Sequence, residues 1–148
     1  MTNLTIKPYQ ELDKEELYEI LQLRAEVFVV EQDCVYNDLD NNDQEAYHLI
    51  ARKNGKLAGY LRILPSGTRF KYPSIGRVIV HPSNRKEGIA RKIMTTANQW
   101  IFDHWESDLI QISAQKYLTK FYQSLGYVIK SDEYLEDGIP HFKMELLR

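Results

Sequence analysis

The sequence predicts one mixed α/β (α+β) domain, with a mostly antiparallel central sheet of about six to seven strands flanked by helices. Three observations lead there. Apolar runs rich in β-branched residues alternate along the chain with stretches whose apolar residues recur at helical spacing. An Asn-Gly pair, Asn54-Gly55, separates two of those runs and is the strongest short-range signal of a hairpin. The 148 residues suffice for one sizeable core and are too few for two comfortable ones, so a single domain over 1–148 is expected.

Taken in order, Leu4-Thr5-Ile6 reads as a short strand, and ELDKEELYEILQLRAEVF carries Leu17, Ile20, Leu21 and Phe28 on one helical face. The stretch Asp33 to Glu45, DCVYNDLDNNDQE, has no apolar period and reads as a loop. Structureless loops of that length inside compact domains are often functional. AYHLIARKNGKLAGYLRILP supplies two strands around Asn54-Gly55, and IGRVIV, after the turn PSGTRFKYPS, supplies the next antiparallel neighbour. From Gly88 the residues Ile89, Ile93, Ala97, Trp100 and Ile101 mark a second helix that closes near His104-Trp105. DLIQISA is a short buried strand, and KYLTKFYQSLG a short helix ending on Gly126 as a left-handed cap. The tail YVIKSDEYLEDGIPHFKMELL gives two last strands around a turn.

Composition narrows the function classes. Nineteen Lys and Arg against twenty-one Asp and Glu leave a net charge of −2, too weak a field to hold nucleic acid, so any phosphate binding must be local. The only cysteine, Cys34, excludes an intramolecular disulfide and a Cys-based zinc cluster. The acidic stretch lacks the central Gly and terminal Glu of an EF-hand loop, and no metal is predicted. The N-terminal MTNLTIKPYQELDKEEL has no basic segment leading into an apolar core, and no apolar run approaches a membrane span. A cytoplasmic domain without membrane partners is the expectation.

The most informative segment is VIVHPSNRKEGIARK. A strand, Val78–Val80, ends in Arg85, Lys86, Glu87 and Gly88, and a helix starts at once. A helix that begins there presents unsatisfied N–H groups and the positive end of its dipole. Gly88 lets an anion approach the backbone, Ala90 keeps the next turn open, and Arg85, Lys86 and Arg91 add charge. P-loop and dinucleotide fingerprints both require glycines that are absent, so neither an NTPase nor a Rossmann dehydrogenase fits.

The pattern Arg-x-x-Gly-x-Ala, at Arg85, Gly88 and Ala90, resembles the acetyl-CoA pyrophosphate loop of the GNAT superfamily. At the matching distance, Gln115 and Tyr122 of AQKYLTKFYQSLGY take the places of that family's Asn and Tyr. LRAEVFVVEQDCVYNDLDNND, IGRVIVHP, FYQSLGY and EDGIPHFKM together look like the ElaA-like branch of the family over nearly the whole chain.

The resemblance implies an N-acetyltransferase that uses acetyl-CoA as co-substrate and a small-molecule or peptide amine as acceptor. It implies that Val78, Ile79 and Val80 pair with the pantetheine arm, that residues Arg85, Lys86, Glu87, Gly88, Ile89, Ala90 and Arg91 hold the pyrophosphate, and that Gln115 bonds the pantetheine amides. Tyr122 matches the general acid; its alternative is a core aromatic. Many family members place a Glu base in or near the strand that here opens with Gly76 and Arg77, so the base stays open among Glu31, Asp38, Asp40, His48, His141 and a water relay. A histidine accepts a proton near neutrality without tuning, which singles out His48 and His141, each with a structural alternative. Glu31 and the acidic loop, with Asp38 and Asp40, are candidates to attract a cationic amine, against the plainer reading of a solvated loop. Two further readings stay open: an acyltransferase like the acyl-homoserine-lactone synthases, which LRAEVFVVEQ resembles, and a non-catalytic CoA-binding regulatory module. Pairing into a homodimer through edge strands or the C-terminal hairpin is common for this fold class.

Overall fold

The computed structural model describes residues Met1–Arg148. In chain order the elements are β1 (Thr2–Pro8), α1 (Lys14–Arg24), β2 (Tyr47–Lys53), β3 (Lys56–Leu64), β4 (Ser74–Val80), α2 (Ile89–His104), β5 (Leu109–Gln115), α3 (Thr119–Ser124), β6 (Val128–Ile129), β7 (Tyr134–Glu136) and β8 (Ile139–Leu147). The eight strands exceed the expected number because the tail forms three, two of them short. No helix is long and apolar enough to cross a membrane.

Each boundary has a local cause. Asp13 starts α1 through a capping box, accepting from Glu16 N–H at 2.7 Å while the Glu16 carboxylate accepts from Asp13 N–H at 3.1 Å. The helix does not stop at Phe28; beyond Arg24 it widens into a π-helical segment, Ala25–Glu31, closed by the Gln32 N–H to Val27 C=O bond at 3.1 Å. Asn54 and Gly55 both take positive φ, 54° and 76°, as the β2–β3 hairpin requires.

The strands form two antiparallel sets, β1-β2-β3-β4 and β5-β8-β6, with β7 paired to β8. Alternation along the first set divides its two faces. Ile50, Tyr60 and Ile79 pack under Ile20, Leu23 and Val27 of the first helix, whereas Leu49, Ala51, Leu61, Ile63 and Ile75 pack with Ile89, Ile93, Met94, Ala97 and Ile101 of α2. Ile75 and Ile79 would share a face in a regular strand, and here they face opposite ones. The β3–β4 register shifts between Tyr60 and Arg62, Arg77 takes φ 52°, and this bulge turns the second half of β4 over.

Gly59 sets the height of α2 above the sheet. A Cβ there would lie 2.9 Å from Ile89 Cγ2 and 3.3 Å from the Ile79 carbonyl, so only glycine lets the N-terminus of α2 sit this close to β3.

Candidate active site

β4 and β5 run side by side without pairing. One bond ties them at the start, Gln111 N–H to Pro73 C=O at 3.0 Å, and β3 is the only strand that β4 pairs with. Beyond that bond the strands open around a cleft of about 810 Å³ lined by Ile75 to Val80 on one arm and by Ile112, Ser113 and Gln115 on the other. A strand edge left unpaired in a cleft offers a row of N–H and C=O groups to an extended, amide-bearing ligand.

At the open end β4 runs into the cradle. Lys86 and Gly88 take φ 66° and 79°, and the first backbone bond of α2 is from Lys92 N–H to Gly88 C=O at 3.2 Å. The N–H groups of Ile89, Ala90 and Arg91 therefore have no acceptor within the helix. A Cβ on Gly88 would meet nothing within 4 Å, so the cradle is open on the side where an anion would enter, and its left-handed φ disfavours any other residue. Arg91 lies beside it, donating to Ser124 Oγ at 2.6 Å and resting over the Phe121 ring. These features fit a diphosphate.

Of the residues expected to hold the cofactor, Val78, Ile79, Val80, Arg85, Lys86, Gly88, Ile89, Ala90, Arg91 and Gln115 line the cleft. Glu87 does not; its carboxylate turns out to Lys53 at 2.9 Å, leaving only its backbone to the cradle. Glu31 lines the cleft from the end of the π-helix, where Arg85 holds its carboxyl below the usual range through bonds of 2.5 and 2.7 Å.

Tyr122 lines the cleft from α3, with the hydroxyl engaged by no hydrogen bond within the chain. Burial raises its pKa well above that of a free phenol, so it is protonated at neutral pH. His141 stands directly opposite Gln115 in the β5–β8 register and also lines the cleft. Its Nδ1 lies 2.6 Å from the Ile139 carbonyl, which requires the proton on Nδ1 and leaves the Nε2 lone pair free, 3.7 Å from Glu136. Glu136 is itself held by Ser113 Oγ at 3.0 Å and by Arg69. Ser113, Glu136 and Arg69 are cleft residues that the sequence reading missed.

Three expectations are corrected. His48 is fully buried outside the cleft, with Nδ1 2.6 Å from Tyr60 Oη and Nε2 3.0 Å from the Asp43 carbonyl, so neither nitrogen can serve a substrate. Burial also lowers its pKa and keeps it neutral. Asp38 and Asp40 do not reach the cleft either. Asp38 is bonded by Arg24 at 2.8 Å and Arg77 at 2.7 Å, and Asp40 by Arg62 at 2.8 Å, so both carboxylates are engaged by arginines of the chain and neither is presented to an amine in the cleft.

Known proteins resemble the chain over nearly its whole length. The profile of the acetyltransferase (GNAT) domain family matches residues 9–148. A UPF0039 protein of Schizosaccharomyces pombe is 43% identical over 150 residues, covering 99% of each chain. Protein ElaA of Escherichia coli is 40% identical over 138 residues, covering 92% of this chain and 90% of its own, and its crystal structure superposes with a TM-score of 0.92 over 99% of each chain. An acyl-CoA N-acyltransferase from Pseudomonas aeruginosa superposes with the same TM-score, 0.92, at 37% identity over 99% of each chain.

Proposed function

The chain belongs to the GNAT acetyltransferase family, in its ElaA-like branch, and from that premise we propose that it moves an acetyl group from acetyl-CoA to a primary amine of a small molecule or peptide. One observation carries the reading: an unpaired strand edge, Val78–Val80, leads directly into a cradle of free N–H groups, which matches an amide-bearing arm that ends in a diphosphate.

The bound co-substrate would supply an activated acyl carbon on a sulfur leaving group. The chain's residues do the rest. Backbone groups of β4 and the Gln115 side chain orient the arm, and Lys86 to Arg91 fix the phosphates, aided by Arg85. His141 Nε2 takes the proton that the acceptor amine must lose, and the Glu136 carboxylate stabilises the imidazolium that results. Tyr122, kept protonated by burial, returns a proton to the departing sulfur. The amine nitrogen bonds the acyl carbon as the carbon–sulfur bond breaks, one proton leaves the nitrogen and one reaches the sulfur, and the imidazolium and phenolate left behind return to their starting forms by proton exchange with solvent.

A thiol-release assay with acetyl-CoA over amines, polyamines, amino acids and peptides tests the reading. Release above the no-acceptor rate with at least one amine is expected. Binding of acetyl-CoA without release across the whole panel would make the protein a CoA-binding module instead.

A further inference from the structure

Glu31 and Gln32 are consecutive, and each contacts a different arm of the cleft at its open end. The Glu31 carboxylate accepts from both terminal nitrogens of Arg85, at 2.5 and 2.7 Å. Gln32 and Gln115 exchange side-chain amide bonds, at 3.4 and 3.5 Å. Arg85 belongs to the cradle that follows β4, and Gln115 is the last residue of β5. All four residues line the cleft.

The chemistry of these contacts matches what each partner offers a CoA-type ligand. A carboxylate on a guanidinium has the charge and forked geometry of a phosphate on the same group. A primary amide on Gln115 has the donor and acceptor of a pantetheine amide. Both contacts are easily exchanged. Glu31 and Arg85 are 43% and 40% exposed, where an ion pair contributes little, and the amide pair is long for a hydrogen bond. Arg85 also reaches back to the Val80 carbonyl at 3.4 Å, which keeps the guanidinium over the cradle whichever anion it binds.

We propose that the Glu31–Gln32 turn is an internal mimic of the co-substrate: Glu31 occupies Arg85 as a diphosphate would, Gln32 occupies Gln115 as a pantetheine amide would, and CoA binds by replacing both. Glu31 and Gln32 thereby set the affinity for CoA without being needed to hold it. The proposal rests on the reading of this cleft as an acyl-CoA site.

Calorimetric titration of CoA into four proteins tests it: wild type, Glu31→Gln, Glu31→Gln with Gln32→Ala, and Glu26→Gln. Glu26 is exposed on the same π-helix and does not line the cleft, so its variant removes the same charge without touching Arg85. Glu31→Gln should tighten CoA by about threefold to fivefold, the range an exposed ion pair allows, and the double variant by about tenfold. Glu26→Gln should change it by less than about twofold. In the wild type, amide exchange over residues 25–33 should quicken when CoA is added. Unchanged or weaker affinity in Glu31→Gln, or equal tightening in Glu26→Gln, overturns the mimic while leaving the CoA site intact. No binding of CoA by the wild type at millimolar concentration overturns both.

Discussion

Arg77 Nε donates to Asp38 Oδ1 at 2.7 Å, and the other oxygen of that carboxylate accepts from the fully buried Arg24 at 2.8 Å. Arg77 is the bulged residue of β4 with φ 52°, so Asp38 ties the distorted, cleft-lining part of that strand to the first helix. Asp38, Asp40 and Asp43 act as a staple for the site and not as a lure for substrate. Removing Asp38 would leave Arg24 and Arg77 short of a counter-charge in a buried setting. Asp38→Ala should cost about 3–5 kcal/mol in urea unfolding, the usual penalty for breaking a buried ion pair from one side. A loss below about 1 kcal/mol would show that the cluster is not structural.

Acid should unfold the protein in two stages. Burial lowers the pKa of His48, so its contribution to stability is complete above the unfolded histidine value of about 6.5 and is lost as pH falls through that value toward the folded one. Burial pushes the Asp40 and Asp43 carboxyls up, but the bonds from Arg62 and Arg24 outweigh it and hold both below the usual range. Their contribution is complete above about pH 4 and is lost on further acidification. Melting temperature measured from pH 8 to pH 3 should begin to fall below about 6.5 and fall again below about 4. His48→Gln should flatten the first fall and leave turnover at pH 8 largely unchanged. An equal slope in that variant would contradict the assignment.

What the sequence disclosed was local. The Asn54-Gly55 turn, the meander, α2 and the glycine of the cradle each follow from a few adjacent residues, and all stand where expected. The ion pairs of Arg24, Arg62 and Arg77 join residues 14 to 39 positions apart, and no periodicity or spacing encodes them. The bulge at Arg77 was equally hidden, since Ser74–Val80 reads as a regular strand until Ile75 and Ile79 are seen on opposite faces. The last turn was expected as well, and its consequence was not. Asp137-Gly138 is a hairpin turn of the same kind as Asn54-Gly55, with φ 52° and 77°, and it brings Glu136 next to His141.

Tyr122 and His141 differ in what their loss should do. Tyr122→Phe removes only a hydroxyl that has no partner within the chain, so stability and CoA affinity should hold while turnover drops by about 10²-fold. His141→Gln should lower turnover to a similar degree, about 10²-fold, and Glu136→Gln by less, because Glu136 acts through the imidazole. Steady-state rates with any accepted amine, together with CoA titrations, check these. Unchanged turnover in Tyr122→Phe would return that residue to the core.

In the proposed reading the N-terminus of α2 holds the diphosphate of acyl-CoA, and a side chain at Gly88 should interfere with it. Gly88→Val puts a branched side chain at the start of α2, at a φ of 79° that valine resists, and apart from its chain neighbours nothing lies within 4 Å of the added Cβ. Calorimetric titration of acetyl-CoA should give saturable one-to-one binding to the wild type and at least about tenfold weaker binding to the folded variant, a difference of about 1.4 kcal/mol. Equal affinity in the two proteins, or no saturable heat with the wild type at millimolar acetyl-CoA, would mean that the α2 N-terminus does not hold the diphosphate.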